Sequence, residues 1–213
     1  MDQRCERHER RERLFTFIDN ICKEYNIDES HDVRHAHDCV HFATQLMDFR
    51  FSEDERNLIT YAAALHDCVD KKYVVVADGV RKIRDFLRSE GWPEERIDVL
   101  INIITTMSYS FLQSLKTSTG NVFPDHGPWQ RAYHTVREAD LLCSYRVERC
   151  YHYQKRISPD ILEHDCWKRV EEFFQTRVFK YVLNRWILSN AAQALVPALI
   201  REACRKLDRR SIV

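Results

Sequence analysis

The stretch SEDERNLITYAAALHDCVDKK, residues 52–72, opens as a helix start and closes on a chemically distinctive pair. Ser52 is an N-cap residue, and Glu53 and Asp54 put negative charge in the first turn, where the helix dipole favours it. The apolar run Tyr61-Ala62-Ala63-Ala64-Leu65 then leads to adjacent His66 and Asp67, where the helix is expected to end. An imidazole nitrogen and a carboxylate oxygen on consecutive residues can converge on one divalent cation where a helix relaxes. Taken alone, such a dipeptide also reads as a helix terminus with a capping interaction.

Helical period continues on both sides of this stretch. Leu14, Phe17, Ile18, Ile21 and Tyr25 recur at i, i+3, i+4, i+7 spacing and predict an amphipathic first helix over residues 9–24, closed by Asn26 and Asp28. Ser30 is the expected N-cap of a second helix reaching to about Phe49. A fourth helix is predicted over residues 78–89, and Gly91 with Pro93 gives a stop-then-start signal for a fifth ending near Met107. Residues 108–128 carry Gly120, Pro124, Gly127 and Pro128 and read as one long loop, a length that marks a functional rim or lid, or disorder. The helical pattern resumes at Trp129 and runs through Asp140. Past Pro159 follows a stripe of Trp167, Val170, Phe174, Val178 and Tyr181, and residues 191–207 form a last amphipathic helix.

Four glycines and five prolines among 213 residues leave few turn residues for a many-stranded sheet, so the expected class is all-α. The length suits one core, and no repeat, low-complexity tract or linker interrupts it, so residues 1–213 are expected to form a single domain. Lys and Arg total 33, as do Asp and Glu, so no overall field draws the chain to an anionic membrane or an extended nucleic acid. Arg4, Arg7, Arg10, Arg11 and Arg13 alternate with Glu6, Glu9 and Glu12 and read as a solvated face. The eight cysteines include no C-x-x-C pair and read as reduced thiols. With no signal-type or membrane-length apolar run, a cytoplasmic location is expected.

Three short groups occur in order: His31, Asp32 and His35; Leu65, His66, Asp67, Asp70 and Lys72; and Ala139, Asp140 and Leu141. Over residues 30–149 this order and spacing resemble the HD-domain metal-dependent phosphohydrolase superfamily, whose signature is a His, a His-Asp pair and a distant Asp. The likeness is greater to its nucleotide pyrophosphohydrolase-like branch. Asp38-Cys39 departs from the Arg-Val common in that branch, and Arg146 stands where a less charged residue is usual.

The resemblance implies a single helical HD-type bundle, with a motif-bearing core at about 30–149 and C-terminal helices over 159–208 completing it. It implies one divalent cation held by His35, His66, Asp67 and Asp140, a mixed nitrogen and carboxylate set that suits Mn, Fe, Co, Ni, Mg or Zn. Asp70 would be a general acid or base, Lys72 and Lys71 would neutralise phosphate, and His31 would line the pocket. The partner implied is a small phosphorylated substrate, a nucleotide or a similar metabolite. Asp70 has a plain reading too, as a solvated charge paired with Lys71 or Lys72.

Other features keep two readings. His37 and His41 stand at i, i+4 and read as polar positions or as a pair for a second ion, and His126 and His134 leave a two-metal variant open. Met107-Ser108-Tyr109-Ser110 resembles a substrate-facing segment of the branch and also reads as a helix end. Trp167, Phe173, Phe174, Phe179 and Trp186 read as core, or as the interface of a homodimer, rather than as a base-stacking platform. Two other functions compete with the hydrolase: a non-catalytic nucleotide-sensing HD module and a dinuclear HD-type oxygenase. A sensor has no need of a proton-transfer carboxylate at Asp70, and an oxygenase needs further metal ligands.

Overall fold

Ser52 caps α3 (Glu53–Leu65) through a full capping box, in which its hydroxyl accepts from Glu55 N and the Glu55 carboxylate accepts from Ser52 N. In the computed structural model, which describes residues 3–209, α3 is one of ten α-helices, and no strand forms among the described residues. Met1 and Asp2 of the charged N-terminus lie outside the described residues, as do the side chains of Arg4 and Arg7; Arg10, Arg11 and Arg13 are exposed. The all-α class therefore holds. No helix is long and apolar enough to cross a membrane, among the described residues.

The first helix, α1 (Gln3–Glu24), begins earlier than the apolar period suggested, because charged residues at its start extend it without adding a buried face. Asn26 ends it at a φ of 51°. The second, α2 (Val33–Leu46), is capped by Asp32 and not by Ser30. Asp28 explains the displacement: its carboxylate accepts from Ser30 N at 2.8 Å and from the Ser30 hydroxyl, which also meets His31 Nδ1 at 2.6 Å. With Ser30 so engaged, extended Asp32 accepts from Arg34 N at 2.8 Å and His35 N at 3.4 Å. The helix stops at Leu46, before Phe49, because Asp48 captures Arg50 N at 2.9 Å in a local turn.

After α3 the chain tightens into a 3₁₀ turn, His66–Val69, and then enters α4 (Val76–Ser89). Gly91, at φ 78°, separates α4 from α5 (Glu94–Thr106). The predicted long loop is broken by a short helix, α6 (Tyr109–Leu115), capped by Ser108 and buried only at Leu112. A single buried position leaves no period to detect, which is why the sequence reading missed it. Gln130–Cys143 forms α7, Val147–Ile157 forms α8 and Glu163–Thr176 forms α9. The late stripe is not one helix: α9 ends at Thr176, and Val178 and Tyr181 are buried from a following 3₁₀ turn, Val178–Lys180, and its C-cap. The last helix is α10 (Asn190–Asp208).

The centre of the packing is α2 against α3 and α7. Leu58, Ile59, Leu65, Tyr133 and Leu142 are fully buried there, each contributing about 1.5–3 kcal/mol by burial. Phe174 and Trp186 are fully buried, and Trp167 stacks on Tyr151 at 4.4 Å, so these late aromatics pack inside this chain. Glu138 and Arg137, both fully buried on α7, tie down the segment before α10. Glu138 accepts from Leu188 N and from the backbone and hydroxyl of Ser189, while Arg137 donates to Trp186 O.

Candidate metal centre

Each of the four expected ligands is aimed by a local feature. The Asp32 cap fixes where α2 begins, and so turns His35 onto the face packed against α3 and α7. His66 is the C-cap of α3, and its Nδ1 lies 2.9 Å from Ala63 O. That contact makes Nδ1 the protonated nitrogen and frees Nε2 to act as a ligand. Asp67 follows within the 3₁₀ turn, and Asp140 comes from the last turn of α7. Gly79 on α4 lets the two segments approach, since an added Cβ would overlap the Cys68 carbonyl oxygen.

These four side chains meet at one point. His35 Nε2 lies 3.4 Å from His66 Nε2, 3.2 Å from Asp67 Oδ2 and 3.4 Å from Asp140 Oδ1. His66 Nε2 lies 3.3 Å from Asp67 Oδ1 and 3.7 Å from Asp140 Oδ1. Ligands bound at about 2.1 Å around a tetrahedral ion stand about 3.4 Å apart, so the spacing suits a shared cation. Asp67 Oδ2 and Asp140 Oδ1 are also buried without a hydrogen-bond partner. Both sit close to His35, yet not in hydrogen-bonding geometry. Buried, orphaned carboxylate oxygens are costly unless an ion satisfies them, and this donor set is one that a divalent cation takes.

The electrostatics agree. Burial opposes charge on His66, but Asp67 and Asp140 outweigh it and raise its pKa to about 9. His35 goes the other way, pushed down to about 3 by burial and by nearby Arg149. One imidazolium beside the carboxylates is favourable, and a second next to it and a guanidinium is not. Burial likewise opposes ionisation of Asp140, yet the adjoining imidazoles of His35 and His66 and the positive charge of Arg149 hold it well below the usual carboxylate range, while burial pushes Asp67 up to about 6.

A sulfur adjoins this group. Cys39 Sγ lies 3.4 Å and 3.7 Å from the two ring nitrogens of His35, and 3.4 Å from Cys143 Sγ. Burial pushes the Cys39 thiol well above its ordinary value. All eight cysteines are free thiols.

A cavity of about 360 Å³ is lined by His66, Asp67 and Asp140, three of the four convergent side chains, and is within the size range of small-molecule sites. Asp70, Lys71, Lys72 and His31 all line it. Asp70 faces the same side as Asp67 because residues three apart eclipse in a 3₁₀ turn, not because α3 persists. Its carboxylate lies 3.1 Å from Lys72 Nζ, which stands 3.4 Å from His31 Nε2. Burial, then Arg149 and Lys72, push His31 well below its ordinary pKa. Ligand atoms of His31, Asp67 and Asp70 lie within 4.8 Å of one another, as do those of His35, Cys39, His66 and Asp140.

The remaining histidines do not join either group. His37 stacks on Phe15 at 3.6 Å, and His41 meets Gln45 Nε2 at 2.8 Å. His126 stacks on Tyr133 at 4.2 Å, and His134 lies 3.0 Å from Gln130 Nε2 and 3.3 Å from Arg137 Nη2. Tyr109 and Ser110 do line the cavity, from α6. Sequence reasoning missed Cys39, Gly79 and above all Arg149, whose Nη1 lies 3.7 Å from Asp140 Oδ1. An arginine on a helix as charged as α8 carries no signal that separates it from a solvated one.

No protein family's sequence profile and no curated protein matches the chain. A crystal structure of a Lactobacillus plantarum protein is similar in fold, with a TM-score of 0.64 and 17% identity over 94% of each chain. At that identity the likeness concerns the fold alone.

Proposed function

We propose that this chain is a metal-dependent phosphohydrolase of the HD-domain type, acting in the cytoplasm on a phosphoester or phosphoanhydride of a nucleotide or similar small metabolite. One observation carries the reading: His35, His66, Asp67 and Asp140 converge with unpaired buried carboxylate oxygens, and the last three of them line a cavity together with Asp70 and Lys72. A divalent cation held there supplies Lewis acidity toward a phosphoryl oxygen and toward water. Asp70 is placed to take a proton from the attacking water as its oxygen bonds to phosphorus, and to return it to the leaving oxygen as the P–O bond breaks. Lys72 orients Asp70 through their 3.1 Å contact, and its ammonium, half exposed, offsets phosphate charge. The size of the cavity favours a mononucleotide-sized ligand over a polymer.

A two-ion centre draws on the second group, His31, Asp67 and Asp70. The Lys72 ammonium beside that group fills the place of a second cation, which favours one ion. The test is metal content of the purified protein, followed by a screen for phosphate and pyrophosphate release from nucleotides with Mn, Co, Ni and Mg. About one ion per chain and metal-dependent release support the reading, and Asp67→Ala should abolish both. Full release by metal-free protein would defeat it.

A further inference from the structure

Three arginines line the cavity, and they differ in what holds them. Arg146 is engaged by Asp38 at 2.8 Å. Arg177 stands over Tyr109, its Cζ 3.5 Å from the ring centroid, with its Nε donating to Tyr181 Oη at 3.0 Å. Arg149 is different. Its side chain is only 18% exposed, and its one hydrogen bond runs from Nε to Ser30 O. That bond fixes the plane of the guanidinium and leaves both Nη groups without a hydrogen-bonding partner among the described residues. Asp140 Oδ1, at 3.7 Å from Nη1, is too far to take one.

We propose that Arg149 is a substrate-binding residue whose Nη pair grips two non-bridging oxygens of the phosphoryl group, on the Asp140 side of the cavity, with Lys72 on the Asp70 side. The inference rests on the phosphohydrolase reading and adds to it the residue that holds the anion. A divalent cation cancels the charges of Asp67 and Asp140, which leaves the Arg149 charge uncompensated and nearly buried. An anion with tetrahedral oxygens then answers both the charge and the unused donors. The planar fork matches two such oxygens at once, which an ammonium cannot do. Because Nε is anchored to the backbone before α2, little side-chain freedom is lost on binding.

The experiment compares the metal-loaded protein with Arg149→Met and Arg149→Lys. It measures metal content, orthophosphate affinity by titration calorimetry, and kcat and KM on whichever phosphorylated compound the unchanged protein hydrolyses. Arg149→Met should keep its metal and bind orthophosphate roughly 10- to 100-fold more weakly, the scale of a lost charge-assisted hydrogen-bond pair. Arg149→Lys, which keeps the charge and the fold but not the fork, should bind about fivefold more weakly. Affinity and KM unchanged in both variants of an active, metal-loaded protein would overturn the role of Arg149 and leave the hydrolase reading standing. If Arg149→Met loses its metal and Arg149→Lys restores both metal and full phosphate affinity, Arg149 is structural and the inference falls. An unchanged protein that does not bind orthophosphate and releases neither phosphate nor pyrophosphate from any nucleotide would overturn the inference and the reading together.

Discussion

His35 and His66 face the same two carboxylates and are driven in opposite directions, His35 down to about 3 and His66 up to about 9. In the metal-free protein at neutral pH, His66 is thus protonated on the nitrogen that a cation needs. Metal binding must expel that proton, so apparent affinity falls as pH drops below about 9, by about tenfold per pH unit for each proton released. Titrating metal into weakly buffered protein at pH 7.5 should therefore acidify the solution by about one proton per ion, and uptake without proton release would contradict the assignment. Asp70→Asn tests the neighbouring role: the ion should stay while turnover falls roughly a hundred-fold or more. Unchanged turnover would return Asp70 to a surface charge paired with Lys72. The convergence of these four side chains was legible at this scale because His-Asp pairs and in-order histidines and aspartates are sparse and chemically specific. Arg149 was not, since its meaning depends on which donors are left unused in the fold.

At the scale of elements, the centre depends on how α3 ends. The tightening from α-helix to 3₁₀ turn at His66 brings Asp67 and Asp70 to one side, and that turn rests on α4 at Gly79. Gly79→Ala should push the turn off α4, because the added methyl meets the Cys68 carbonyl and backbone cannot yield as a flexible side chain can. The expected loss is about 1–3 kcal/mol in urea unfolding, with weaker metal binding. Wild-type stability and affinity would show that the turn is not positioned by this contact. Helix starts were legible where one cap residue was free, as at Ser52. Where two competed, the sequence suggested Ser30, and Asp32 won because Asp28 had already engaged Ser30. The short α6 escaped notice because one buried residue makes no pattern.

Across the whole molecule, α7 carries both Asp140 and, within one turn before it, the buried pair Arg137 and Glu138, which holds the chain entering α10. Glu138→Ala leaves the Arg137 guanidinium buried and uncompensated, and should cost about 3–5 kcal/mol in denaturant unfolding. A loss below about 1 kcal/mol would mean that the arginine is satisfied by Trp186 O and its stacking on Phe123 instead. The amino-acid sequence by itself determined the all-helical class and the identity of the four convergent side chains, because apolar period, capping residues and sparse His and Asp motifs are local and read directly from neighbours. Tertiary structure alone decided that Asp32 caps α2, that Gly79 seats the His66–Val69 turn, that His126 and His134 stay away from the centre, and that Arg149 turns its unused donors into the cavity. Each of those outcomes depends on which groups lack partners after packing, and pairing between distant residues exists only once the helices have met.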